Sequence, residues 1–194
     1  DAVLAGAGKG RFTGTTLGEF RIAELIGRGG MGDVYAAKHL GTGLRVAMKL
    51  LHHDVRDDAG IVERFRREAR VTASLRSPHV VSVLDADVAD DGTPYLAMEL
   101  LEGQDLSRLL RQRGRLDLDE VSELVDHVAE GLSLAHAAGV VHRDLKPQNL
   151  FRAKTRDGEV WKVLDFGVSK LMGSSGTLTQ RNVVGTPGYM SPEQ

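Results

Sequence analysis

Residues 26–38 read IGRGGMGDVYAAK, and Gly27, Gly29 and Gly32 fall in the spacing GxGxxG. Two phosphate-binding architectures use that spacing. In a dinucleotide-binding fold the turn joins a strand to a helix whose N-terminus faces a pyrophosphate, inside a unit of about 30 residues. In the other, the turn joins two antiparallel strands, and missing side chains let backbone N–H groups approach phosphate oxygens from a flap. Here only eight residues separate Gly32 from Gly41, and Val34, Ala36 and Lys38 fit a strand. Asp54 lies near the spacing of a ribose-binding acid, but the crossover helix is missing, which argues against a dinucleotide oxidoreductase.

Outward from the turn, GEFRIAELIG alternates before it, and DVYAAKHL, the GTG turn at 41–43 and LRVAMKLL follow, predicting a three-stranded antiparallel meander. Ile61, Phe65, Ala69, Thr72 and Ala73 recur near helical spacing, with Glu68 on their side. SPHVVSVLDADV and TPYLAMELL read as two more strands around the ADDG turn at 89–92. Asp117 with Glu120 is a capping-box pattern that opens a helix to Ala138, with a stripe of Val121, Leu124, Val125, Val128, Leu132 and Ala135 and a stop at Gly139. A hairpin through RDGE at 156–159 precedes WKVLDFG and a polar stretch over 173–182. Residues 1–17, Gly-rich and without period, read as a flexible lead-in.

Composition bounds the partners. With 194 residues, 41% hydrophobic and 27% charged, the chain is globular, and a net charge of −2 gives no basic field for nucleic acid or an anionic membrane surface. The absence of cysteine excludes disulfides, thiolate zinc sites and cysteine nucleophiles, and fits a reducing compartment. No apolar run reaches membrane-spanning length, so no membrane contact is expected from this segment.

Phosphoryl transfer needs positioning and charge neutralisation more than covalent chemistry: a flap, a cation on the phosphates, metal-binding oxygens and a group facing the acceptor hydroxyl. The chain offers each in order: Lys49 in VAMK, Glu68 on the following helix, His142, Arg143, Asp144, Lys146 and Asn149 in HRDLKPQN, and Asp165, Phe166 and Gly167 in DFG. Through these motifs, and through GRGGMGDVY and GTPGYMSPEQ, the sequence resembles the protein kinase family, in particular the eukaryotic-like Ser/Thr kinases of bacteria, from about Gly18 to Gln194.

The resemblance implies an α+β, bilobal protein-kinase-like fold: a lead-in over 1–17, an N-lobe over 18–101 with a five-stranded antiparallel sheet and one helix, and over 102–194 an incomplete, mainly helical C-lobe. It implies an ATP-dependent protein serine/threonine kinase using Mg²⁺, with Mn²⁺ as the alternative, acting on protein Ser/Thr hydroxyls in the cytoplasm. Asp144 would accept or orient the substrate hydroxyl, Lys146 would stand beside it, Lys49 would hold the α- and β-phosphates and pair with Glu68, and Asn149 and Asp165 would bind the metal. Ile26, Gly27, Gly29, Gly32, Val34, Ala47 and Phe151 would enclose the nucleotide, with Met98 as gatekeeper, the backbone of Glu99 to Leu101 as hinge, and Asp105 near the ribose.

Arg143 beside the catalytic aspartate implies regulation by a phosphate on the activation loop, with Thr179 and Thr177, then Ser174 and Ser175, as acceptors. In the same pattern Thr186 of GTP would contact the catalytic aspartate and lysine, whereas His142 and Trp161 read as packed core residues. The family's closing APE stands here as SPE, Ser191 to Glu193, and its later helices do not follow Gln194. The 194 residues are therefore expected to be a weakly stable, poorly active part of a longer parent, with apolar surface uncovered on the Asp117–Ala138 helix. The parent could be a homodimer or membrane-anchored. A pseudokinase acting as a nucleotide-gated scaffold is the competing reading, disfavoured by the presence of Lys49, Asp144, Asn149 and Asp165.

Overall fold

The computed structural model describes residues 8–29, 32–52, 59–166 and 187–189. They fall into two compact units, one of residues 1–73 and 83–101, the other of residues 74–82 and 102–194.

The first unit is a six-stranded sheet in the order β1-β2-β3-β4-β6-β5. Its strands are β1 (Thr16–Leu17), β2 (Phe20–Arg28), β3 (Gly32–His39), β4 (Arg45–Leu51), β5 (Val83–Val88) and β6 (Pro94–Glu99), with α1 (Ala59–Ser74) between β4 and β5. All pairs are antiparallel, and β2, β3 and β4 form the expected meander. One face carries the core: Phe20, Ile22, Leu25, Tyr35, Ala37, Val46, Met48, Leu50, Tyr95 and Ala97 are buried together. At the β3–β4 turn His39 Nδ1 accepts the amides of Gly41 and Thr42 at 3.1 and 3.2 Å, and Gly43 takes a φ of 73°.

One feature corrects the sequence reading. The sheet has six strands rather than five, because residues 8–17 are not a loose lead-in. Gly14 N donates to Ile22 O at 3.0 Å, Ile22 N donates to Thr15 O at 2.9 Å, and Thr16 pairs with Arg21. The order comes from main-chain bonds to β2, which a run of glycines without alternation does not signal. Edge strand β5 is also capped from within: the amides of Ala86 and Val88 each donate at 2.8 Å to the carboxylate of the residue before them, Asp85 and Asp87.

The second unit contains β7 (Gly103–Asp105), α2 (Leu106–Arg113), α3 (Leu118–Ala137), a 3-10 turn at Pro147–Asn149, β8 (Leu150–Thr155), β9 (Gly158–Val163) and a second 3-10 turn at Pro187–Tyr189. Strands β7, β8 and β9 form a small antiparallel sheet. Asp117 Oδ1 accepts Glu120 N at 2.9 Å and the Glu120 carboxylate accepts Asp117 N at 3.2 Å, the capping box expected from sequence. The helix ends before Gly139, whose φ is 75°.

The core of this unit joins Leu75, Val80, Leu106, Leu109, Ala135, Leu150, Trp161, Val163 and Phe166. Residues 79–81 run parallel to the end of β9, with Val81 N to Val163 O at 3.0 Å and Val163 N to His79 O at 2.9 Å, which is why 74–82 belong here. On α3 the predicted stripe is only partly covered: Ala135 is buried, while Val121 and Val125 are 40% and 58% exposed.

Candidate active site

In the first unit, register assembles one face. Val34 lies opposite Lys49, Ala36 opposite Ala47, and Gly27 opposite Val34. Ala47 pairs with Met98 and Lys49 with Leu96. Because side chains alternate along a strand, Val34, Ala47, Lys49 and Met98 share the face opposite the Tyr35 and Met48 core. Ala47, Lys49 and Met98 are buried, and Val34 and Ile26 are half-buried. The face is an apolar wall with one ammonium set into it.

The glycine turn is strand–turn–strand, closed by Gly29 N to Gly32 O at 3.0 Å, and Gly32 opens β3 rather than a helix. A Cβ on Gly27 would meet Val34 at an ordinary 3.7 Å, but one on Gly32 would strike the backbone carbonyl of Leu50. Strand packing alone therefore requires glycine at 32.

In the second unit the polar groups stand on loops. Asp144 Oδ2 takes a 2.7 Å ion pair from Lys146 Nζ. Asn149, buried, donates through Nδ2 to the Asp144 carbonyl at 2.8 Å and approaches Asp144 Oδ2 at 3.4 Å, which turns its Oδ1 into its remaining acceptor. Leu164 N donates to Asn149 O at 2.9 Å, fastening the loop to the segment that carries Asp165. Arg143 and Asp165 have φ of 65° and 56°, a left-handed conformation costing about 1–3 kcal/mol in a non-glycine residue. Backbone strain of this size persists where surrounding contacts fix it.

His142 provides one such contact. It is buried, as read from sequence, and its Nε2 donates to Leu164 O at 2.7 Å while its Nδ1 accepts Asp144 N at 3.3 Å. Those partners fix a neutral ring with the proton on Nε2. Burial holds its pKa below the usual imidazole value, although Asp165 and Asp144 both act to raise it. Phe166 tilts against the ring at 4.9 Å. His142 thus joins the Asp144 loop to the Leu164–Phe166 segment.

Of the other expected residues, Asp105 caps α2, its Oδ1 accepting Arg108 N at 2.8 Å, and it pairs across the small sheet with half-buried Phe151. Glu99 ends β6, and Leu101 follows it, half-buried. Thr177, Thr179, Thr186, Ser174, Ser175 and the Glu68 side chain lie outside the described residues.

Sequence reasoning missed an ion network in the second unit. Glu120 receives Arg113 through two bonds of 2.6 and 2.7 Å and Arg152 at 3.0 Å, and Arg152 reaches Glu159 at 2.9 Å. The bidentate bond from Arg113 pulls the Glu120 carboxyl down to about 2. The capping-box pattern was the only sequence signal for it.

The profile of the protein kinase domain family matches residues 20–194. The chain belongs to the protein kinase domain family. It is 42% identical over 189 residues to the serine/threonine-protein kinase Pkn3 of Myxococcus xanthus, covering 94% of this chain and 35% of that protein. It is 41% identical over 186 residues to PknA of Mycobacterium tuberculosis, covering 93% of this chain and 42% of that one. The crystal structure of the Mycobacterium tuberculosis PknI kinase domain superposes with a TM-score of 0.71 at 29% identity, covering 84% of this chain and 69% of that chain. The chain thus spans well under half the length of these two curated relatives, and shares the protein kinase fold with the third.

Proposed function

We propose that this kinase domain transfers the γ-phosphoryl group of ATP to serine or threonine hydroxyls of proteins in the cytoplasm. The observation that carries the reading is the Asp144 carboxylate, paired with Lys146 at 2.7 Å and steadied by Asn149 through its own main-chain carbonyl. A carboxylate held this way faces an acceptor hydroxyl in one orientation and takes its proton as the oxygen begins to bond to phosphorus. Lys146, a compact cation beside it, offsets charge on the transferring group.

In the first unit Lys49 holds phosphate oxygens, and Val34, Ala47 and Met98 offer an apolar face to adenine. Asn149 Oδ1 and the Asp165 carboxylate are hard oxygen donors that suit Mg²⁺. No group of three or more His, Cys, Asp or Glu able to hold a metal occurs among the described residues, so the cation would complete its shell with water and phosphate oxygens. Bound there, the metal would neutralise phosphate charge. Glu68 would pair with Lys49, and a phosphate on Thr177 or Thr179 would pair with Arg143.

The test is phosphate incorporation into a Ser/Thr peptide by the full-length protein with MgATP. Asp144→Asn is expected to lower kcat by about 10²- to 10⁴-fold while leaving nucleotide binding in place. Undiminished transfer in the variant would remove Asp144 from its catalytic role, and no transfer by the wild type would leave a nucleotide-gated scaffold. Mass spectrometry of residues 173–186 after the same incubation reads the regulatory sites.

A further inference from the structure

We propose that residues 8–17 form a strap that sets the position and stiffness of the glycine flap, with Gly10 and Phe12 as positioning residues; this rests on the nucleotide-binding reading of Gly27, Gly29 and Gly32. A turn built of glycines has few side chains of its own to pack, so its position is set by the strands on either side. Those strands are irregular where they approach it. The β2–β3 register shifts between Ile22 and Glu24 and again between Leu25 and Gly27, so the ladder is interrupted on both sides of Leu25.

The strap makes its contacts at that level. Gly8 forms an antiparallel bridge with Leu25, Leu25 N donating to Gly8 O at 3.2 Å and Gly8 N to Leu25 O at 3.4 Å. Across the sheet Leu25 faces Tyr35, which is fully buried. Phe12 packs edge-on against the Tyr35 ring at 6.1 Å, and the Arg11 guanidinium lies 5.3 Å over Phe12. Gly10 sits so close that a Cβ there would collide with the Tyr35 hydroxyl and ring. One short segment therefore holds β2 through its backbone and β3 through an aromatic ring, two residues before Gly27 and three after Gly32.

The strap is itself fixed: Gly10 N donates to Thr13 Oγ1 at 2.9 Å, Thr13 N to Gly10 O at 3.1 Å, and Thr15 N to Phe12 O at 3.0 Å. Tyr35 points to the face opposite Val34 and Lys49, so the strap acts on the flap without touching nucleotide. Loosening it enlarges the set of flap positions, and only some of them present amides to phosphate. The consequence falls on nucleotide binding more than on the transfer step.

Phe12→Ala and Gly10→Val in the full-length kinase are expected to raise KM for MgATP by about three- to tenfold with kcat within about twofold of wild type, and Phe12→Leu to restore most of the loss. Hydrogen exchange at residues 25–28 and 32–35 should quicken about tenfold in both variants. A merely structural role would instead lower the melting temperature and the active fraction while leaving KM unchanged, and that result overturns the proposal. Wild-type exchange, which needs no variant, gives a second test: a Leu25 amide that exchanges as fast as an exposed loop amide also overturns it. If the wild type fails to bind MgATP, the nucleotide reading falls, while the exchange data still decide whether the strap holds the flap strands.

Discussion

Val34, Ala47, Lys49 and Met98 meet in the first unit because strands alternate and register aligns them, whereas Asp144, Asn149 and Asp165 in the second sit outside its regular strands and long helices, held by a few side-chain and main-chain bonds. In a sheet, each residue's direction follows from its neighbours' ladder bonds, so position is shared among many weak constraints. In the loops it depends on His142, Asn149 and two left-handed residues. The difference teaches where each unit is vulnerable: backbone crowding in the first, protonation or loss of a single tie in the second.

Three measurements would sharpen or break this contrast. The largest effect is expected at the Gly32 position, where Gly32→Ala forces apart two backbones and should cost about 1–3 kcal/mol, read as a shift of the urea midpoint at constant m-value. A neutral result would mean that β3 can move freely against β4.

The second concerns acid. His142 and His127 are both held below the usual imidazole pKa, chiefly by burial and, for His127, next by the stacked His79 ring 4.0 Å away. Glu123, Asp126 and Glu130 act to raise His127 without overcoming burial, and its Nδ1 accepts Trp161 N at 3.3 Å. With folded pKa values below the unfolded one, the unfolded state binds more protons, so stability present above about pH 6.5 falls as pH drops below it. Hydrogen exchange at pH 7.5 and 5.5 should show second-unit amides of β9 and α3 opening more readily at the lower pH. Equal protection at both would break the assignment of neutral rings.

The smallest effect is at Glu120→Ala, which removes the partner of Arg113 and Arg152 and one half of the capping box. A modest lowering of the melting temperature is expected, shrinking in high salt because the pair is exposed. With the carboxyl depressed from 4.5 to about 2, its contribution is present above pH 4.5 and lost between those values. A drop independent of salt would assign the loss to the cap instead of the charges.

Much of the fold was legible because its determinants are local. Eight residues between Gly32 and Gly41 leave no room for a crossover helix, and Asp117 with Glu120 marks a helix start. The strap was misread because nothing in residues 8–17 alternates; their order comes from Ile22, Leu25 and Tyr35. Residues 74–82 join the second unit for a like reason, their bonds to Val163 being invisible in local pattern. In the site, residue types spelled out the chemistry, but the left-handed backbone of Arg143 and Asp165 could not be read, since nothing about Arg or Asp demands it.

Strand β5 ends the larger sheet, and an open edge normally invites a foreign chain to add on by main-chain bonding. Asp85 and Asp87 already occupy two of its amides, and Asp87 is further engaged by Arg66 at 2.6 Å. A peptide arriving there would have to displace two carboxylates and set its own carbonyls beside negative charge. The first unit thus carries its own guard against edge-to-edge aggregation.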